Sequence, residues 1–283
     1  MASMRDIKRR RNSIASTQQI TKAMKLVSTV KLQKTRTRAE ESRSYFDYMY
    51  QTVHSMLART QNLDHRYLKS GVQGKKAVIV ITSNRGLAGG YNSNIVRLIT
   101  GSDLKKEETV LYCLGKKGHE ALERRGYQVA ADYSEVMDEP KFYHAKNICS
   151  RVLEAFERGE ISEIYLAYTS FKNTVVHNPK LLKLLPVELG ETETQEQNTY
   201  MNYEPDAETA LDMIIPKYIT SLIFGALTES VASENGARMQ AMDAATSNAE
   251  EMISDLSLKY NRARQSSITQ ELTEIIAGAD AIS

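Results

Sequence analysis

The sequence predicts an α/β protein in which N- and C-terminal helices form a long antiparallel coiled coil around a central Rossmann-like parallel α/β domain. Three observations lead there. The first glycine is Gly71 and the first proline Pro140, so a long N-terminal stretch carries neither chain breaker. The C-terminal part places apolar residues at alternating steps of three and four. Between these ends, short β-rich apolar runs alternate with helical stretches. The expected boundaries are 1–68 for the first helix, 69–205 for the α/β domain and 206–283 for the last helix.

In chain order, the first element is a helix over residues 3 to 63. Ser3 is placed as its N-cap, with Asp6 three positions on, close to a capping box. At 1.5 Å per residue such a helix is roughly 90 Å long, more than a globular core requires. Its expected apolar face runs through Met4 and Ile7, then Ile20, Met24, Val27 and Val30, then Phe46, Met49, Val53 and Met56.

The middle of the chain changes period. "KKAVIVIT" (75–82), "ETVLYCLG" (108–115) and "EIYLAYTS" (163–170) read as strands, and helices are expected near 91–100, 116–125 and 141–158. "SFKNTVVHNPKLLKLLPVEL" adds a hairpin or edge strand, and "GETETQEQNTYMNYEPD" reads as an exposed loop. Pro216 then divides the C-terminal region into a short helix near 206–214 and a long one from about Lys217. The seam expected on the long helix is Met242, Ala245, Ala249, Met252, Leu256, Tyr260 and Ala263, continuing through Ile268, Leu272, Ile275 and Ala279. An isolated amphipathic helix draws its stability mainly from packing its apolar face, so the two long helices are expected to pack on each other.

Net charge is +2 over 283 residues, but the ends differ sharply. Residues 1–38 carry eleven basic side chains against Asp6 alone. From Pro205 onward twelve acids face five basic residues. Opposite ends of opposite sign attract, and the N-terminal surplus suits an acidic partner. No run approaches the roughly 18 consecutive apolar residues of a membrane span. The start lacks a signal-peptide core, and the expectation is an unprocessed chain that is not an integral membrane protein. Cys113 and Cys149 sit in apolar segments and are expected to be buried, reduced thiols.

"SNRGLAGGYNSNI" (83–95) follows a strand as a phosphate cradle would. It matches neither G-x-G-x-x-G nor G-x-x-x-x-G-K-[ST]: the spacing of Gly86, Gly89 and Gly90 is wrong, and no Lys-Ser or Lys-Thr follows. Glu107 and Glu108 lie near the distance of a ribose-binding acid, so the nucleotide reading stays open beside that of a structural tight turn. His54, His65, His119, His144 and His177 have no ligand spacing, and no nucleophile–base pattern is visible. The expectation is no catalytic, cofactor-binding or metal-binding residues. Lys8 to Arg11 form a basic cluster without interleaved aromatics, which favours an acidic protein over nucleic acid. Two other classes stay testable. A nucleotide-binding enzyme would show ligand heat with residues 70–205 alone, and a nucleic-acid-binding protein would bind DNA with steep salt dependence.

"IKRRRNSIASTQQITKAMKLVSTVKLQKT", "SNRGLAGGYN" and "ENGARMQAMDAATSNAEEMISDLSLKYNRARQSSITQELTEIIAGADAI" together resemble the γ-subunit family of F-type ATP synthases, in order and over essentially the whole chain. The resemblance implies a non-catalytic central rotor shaft without cofactors. Its coiled coil would lie in the cavity of a hexamer of alternating α and β subunits. Its sheet domain would sit with ε on the ring of c subunits, on the cytoplasmic side of a bacterial membrane as a peripheral component. Arg264 and Gln265 match family positions that contact a catch loop of β, and Met24, with Lys22 and Lys25, matches the segment near an acidic β loop. The regulatory cysteine insertion of the chloroplast form is absent, so thiol control is not expected.

Overall fold

The computed structural model describes residues 4–59, 65–69, 74–187 and 206–280. The elements are α1 (Met4–Arg59), β1 (Lys75–Ile81), α2 (Tyr91–Thr100), β2 (Thr109–Leu114), α3 (Lys116–Glu123), β3 (Gln128–Asp132), a 3-10 turn (Ser134–Met137), α4 (Phe142–Glu157), β4 (Ile161–Phe171), β5 (His177–Leu185) and α5 (Ala207–Asp280). Two compact units result. One combines residues 1–28 with 239–283, the other spans 29–238, and α1 and α5 each contribute to both. The expected Ser3 cap, the Phe46 side chain and all but the final residue of the polar loop 190–206 lie outside the described residues.

In the larger unit, β1 is buried from Ala77 onward because both faces of the sheet are covered, as a parallel sheet requires. Its residues alternate between the two layers. Ala77, Ile79 and Ile81 pack with Val53, Met56 and Leu57 of α1, Ile148 and Val152 of α4, and Leu211, Ile215, Ile219 and Ile223 of α5. Val78 and Val80 face Ile95, Val96 and Ile99 of α2 and Leu122 of α3. Cys113 lies in the second layer and Cys149 in the first, both free and buried. Burial pushes their thiols up to about 12 and about 11, which leaves them unreactive at neutral pH.

The sheet order is β3-β2-β1-β4-β5, with β1 parallel to β2 and β4, β2 parallel to β3, and β5 antiparallel to β4. The hairpin expected after β4 is therefore present, with Pro179 tolerated because β5 is an edge. β3 escaped sequence reading. "QVAAD" is five residues long with only its alternate positions half-buried, so it carries little of the apolar signal that marks the inner strands.

Pro216 requires a correction. It sits inside one continuous helix, α5, and does not separate two. Leu211, Ile215, Ile219 and Ile223 on either side of it are all at most 1% exposed. Burial of an aliphatic side chain contributes about 1.5–3 kcal/mol, so this run outweighs the roughly 3 kcal/mol cost of an internal proline. The same burial bears on membrane insertion. An 18-residue window of α5 has a mean hydropathy of 1.4 and is long and apolar enough to span a bilayer, yet half of it is buried inside the protein.

One polar bridge spans three strands. The Glu163 carboxylate on β4 lies 3.3 Å from Lys76 Nζ of β1 and 3.5 Å from Lys183 Nζ of β5, and accepts the Tyr165 hydroxyl at 3.0 Å. Burial alone would push its pKa up. The Tyr165 hydrogen bond and the two ammonium groups outweigh that and hold it below its ordinary 4.5. A depressed folded value means stability that is present above 4.5 and lost as pH falls through the folded value. Glu163→Gln is expected to cost about 1 kcal/mol at neutral pH and to flatten the acid limb of stability below pH 4.5. Urea midpoints against pH check this, and parallel acid limbs in the two proteins would refute it.

Candidate partner-contact surface and glycine loop

The segment after β1 has the position of a phosphate loop but not its availability. Asn92 Oδ1 accepts the Ser83 N–H at 2.9 Å, and the Ser83 hydroxyl donates to the Arg85 carbonyl at 2.6 Å. Asn84 donates to the Ser134 carbonyl at 2.9 Å and accepts the Lys116 N–H at 3.2 Å. Side chains of the loop and of α2 thus take up the Ser83 N–H and tie the loop to Ser134 and to the start of α3.

Strand order puts a topological switch point between β1 and β4, where folds of this class bind ligands at the carboxyl ends of the strands. Here α5 fills that crevice. The Thr169 N–H at the end of β4 donates to Ser230 Oγ at 3.3 Å, and the Ser233 hydroxyl donates to the Thr169 carbonyl at 3.3 Å. The Phe171 N–H donates to Glu229 Oε2 at 3.1 Å, while Tyr91 OH reaches the Ser230 carbonyl at 3.1 Å. Ser230 and Ser233 are fully buried. From the loop side, Arg238 Nε donates to the Gly86 carbonyl at 3.5 Å, and Arg238 pairs with Glu234 at 2.7 Å. A segment of the chain itself is therefore hydrogen-bonded across the carboxyl end of β4 and to the glycine loop. The sequence signal was present but unread: Ser230 and Ser233 are small polar residues one helical turn apart, which lets α5 approach strand ends.

In the smaller unit, polar pairs set the register of α1 against α5. Arg11 stacks over Tyr260 at 5.6 Å, Gln18 donates to Glu250 at 3.0 Å, Thr21 and Thr246 share a buried hydrogen bond of 2.8 Å, and Lys25 pairs with Asp243 at 2.6 Å. Partner numbers fall as α1 numbers rise, so the helices are antiparallel as expected. A buried polar layer such as Thr21–Thr246 penalises slipped registers in which each hydroxyl would lose its partner.

The seam differs from the apolar pattern in particulars. Met242 and Ala249 are buried, and Ala245, Leu256, Tyr260 and Ala263 half-buried, as expected. Met252 turns outward and Ile253 takes its place. On α1, Ile20, Val27 and Val30, expected on the packed face, are exposed together with Leu26, while Thr21 and Ser28 are buried. Past residue 267, Ile268, Leu272, Ile275 and Ile276 are also exposed.

The five expected contact residues all lie in this unit. Lys22, Arg264 and Gln265 are exposed, and Met24 and Lys25 are half-buried. Lys25 is partly committed to Asp243, so its charge helps fix the coiled coil. The feature missed by sequence reading is the outward apolar set Leu26 and Val27 with Ile20. A helix with apolar residues on two faces does not announce which face its own chain will cover.

The family described as ATP synthase matches residues 3–282. The ATP synthase gamma chain of Lachnoclostridium phytofermentans is 66% identical over 290 residues, covering 100% of both chains. Among solved structures, a chain in the central stalk/c-ring of the Tetrahymena thermophila mitochondrial ATP synthase is similar at 26% identity and a TM-score of 0.60, covering 80% of this chain and 99% of that one. A chain of the Euglena gracilis mitochondrial ATP synthase OSCP/F1/c-ring assembly shares the fold at 18% identity and a TM-score of 0.69, covering 99% and 94%.

Proposed function

The chain belongs to the ATP synthase γ-chain family, and from that premise we propose that it is the central rotor shaft coupling ion flow through a c-ring to ATP synthesis and hydrolysis at α/β sites. It is a non-catalytic subunit: the chemistry belongs to α and β, and this chain changes which of their states is favoured. The full-length match to a bacterial γ chain carries the reading.

The physics is that of an asymmetric ligand inside a ring. A ligand shifts a conformational equilibrium only by the difference in its affinity for the two states. Moving a site from mostly one state to mostly the other takes roughly 5.5 kcal/mol of such difference. A two-helix shaft presents a different face to each of three β subunits, so rotation changes the bias each site feels. The coiled coil would occupy the α/β cavity, while the sheet domain, 69–205, would sit with ε on the c-ring. The assembly would be peripheral, on the cytoplasmic face of a bacterial membrane.

Lys22, Arg264 and Gln265 are exposed and so accessible to β loops. Met24 and Lys25 lie at the seam's edge, where they also hold the shaft together. Co-expression with cognate α and β tests the whole reading. One copy per three β subunits is expected, with ATPase activity that is lost when residues 260–283 are removed. Arg264→Ala is expected to lower ATP-driven pumping in reconstituted vesicles severalfold while Lys69→Ala leaves it unchanged. Equal pumping in the two variants would overturn the contact role, and a γ chain left outside the α/β assembly would overturn the rotor reading.

A further inference from the structure

His177 opens β5 and pairs with Phe171 across the hairpin, closing the turn 172–176. The turn is internally fixed. Asn173 Oδ1 accepts the N–H groups of Val175 and Val176 at 2.9 and 2.7 Å. The imidazole and the Phe171 ring are tilted by 32° with centroids 6.1 Å apart, and the imidazole also abuts Gly236 of α5. A β-carbon at position 236 would lie 2.7 Å from His177 Cε1 and 3.2 Å from Nε2, so glycine makes the seat. Both ring nitrogens are shut away from solvent and neither makes a well-formed hydrogen bond, although the Thr174 backbone lies close enough to act on the ring. A buried polar atom left unpaired is costly, and a buried unpaired charge far more so.

We propose that His177 is a proton-operated latch: with a neutral imidazole it seats the β4–β5 turn on Gly236 of α5, and protonation releases the turn. The elements packed against it carry Lys172 in the turn, Tyr168 on β4, Lys180 on β5, and Glu229, Glu234 and Arg238 on α5 as charged or titratable groups, and none of these side chains is hydrogen-bonded to the imidazole. Glu229 already accepts the Phe171 N–H, and Glu234 is paired with Arg238. Glu229 and Glu234 are thus each engaged elsewhere, and neither is hydrogen-bonded to the imidazole. Burial accordingly pushes the His177 pKa below 6.5, and the Thr174 backbone offsets only part of that. A depressed value in the seated form means that seating is at full strength above 6.5 and weakens as pH falls below it. At one unit below, the loss approaches about tenfold.

Hydrogen exchange on the full chain reads this directly through the Thr169 and Phe171 amides, which donate to α5 side chains. After correction for intrinsic rates, their protection is expected to fall by up to about tenfold between roughly pH 7.5 and 5.5, above the ordinary carboxylate range. His177→Phe, which cannot be protonated, is expected to lose this pH dependence. Should that variant fail to fold, NMR titration of the wild-type imidazole decides. A value below 6.5 that rises in Gly236→Ala supports the latch. Protection independent of pH, the same loss in His177→Phe, or a wild-type imidazole titrating at or above 6.5 overturns it.

Discussion

Gly115→Ala is expected to destabilise the larger unit by more than about 3 kcal/mol, enough to compromise folding of a typical domain. Gly115 joins β2 to α3 at a φ of 107°, a region L residues rarely adopt, and a β-carbon there would overlap the Thr82 carbonyl. Thr82 cannot move away. Its hydroxyl donates to the Gly115 carbonyl at 3.0 Å and accepts the Gly118 N–H at 2.9 Å, stitching the end of β1 to the start of α3. Gly126→Ala is the internal reference. Gly126 also has a positive φ, of 88°, but a β-carbon there meets only Lys106 Cδ at 3.9 Å. That variant pays backbone strain alone, about 1–3 kcal/mol. Urea midpoints of the two proteins separate strain from overlap, and equal losses would show that Thr82 gives way.

Arg238→Ala is expected to cost about 3–5 kcal/mol, because it removes one member of a buried ion pair and leaves the other charged. The Arg238 and Glu234 side chains are only 11% and 13% exposed. Burial raises the Glu234 pKa above its ordinary value even with Arg238 opposing the shift. The sign of the pH effect follows: a raised folded value gives stability that is present below the unfolded value and lost as pH rises through the folded one. The deficit of Arg238→Ala should therefore shrink on acidification as Glu234 takes up a proton. Glu234→Gln combined with Arg238→Ala should recover much of the loss, since no bare charge is then buried. A double variant as unstable as Arg238→Ala, at every pH, would show that the guanidinium acts through Gly86 and packing instead.

Much of the architecture was legible in the residues. The unbroken N-terminal stretch, the three inner strands and the helices between them follow from glycine and proline placement and from hydrophobic period, and these signals are local. β3 was not legible, because a short edge strand with only two half-buried residues carries a weak signal. Pro216 misled for the opposite reason. Its local cost is real, but residues distant in sequence supply the burial that exceeds it. Arg264 and Gln265 came from resemblance alone, since nothing in their spacing marks a solvated arginine as a contact.

By itself, the sequence determined which segments are helix or strand, the antiparallel pairing of the two ends, and the family. Tertiary structure alone decided which faces are used. It put Thr21 and Ser28 inside the packed face and Ile20 and Val27 outside it, and it filled the switch-point crevice with Ser230 and Ser233. The physical reason is that periodicity reports that a face is apolar, whereas burial depends on what lies opposite. For a helix with apolar residues on more than one face, that partner is set only when the ends of the chain meet.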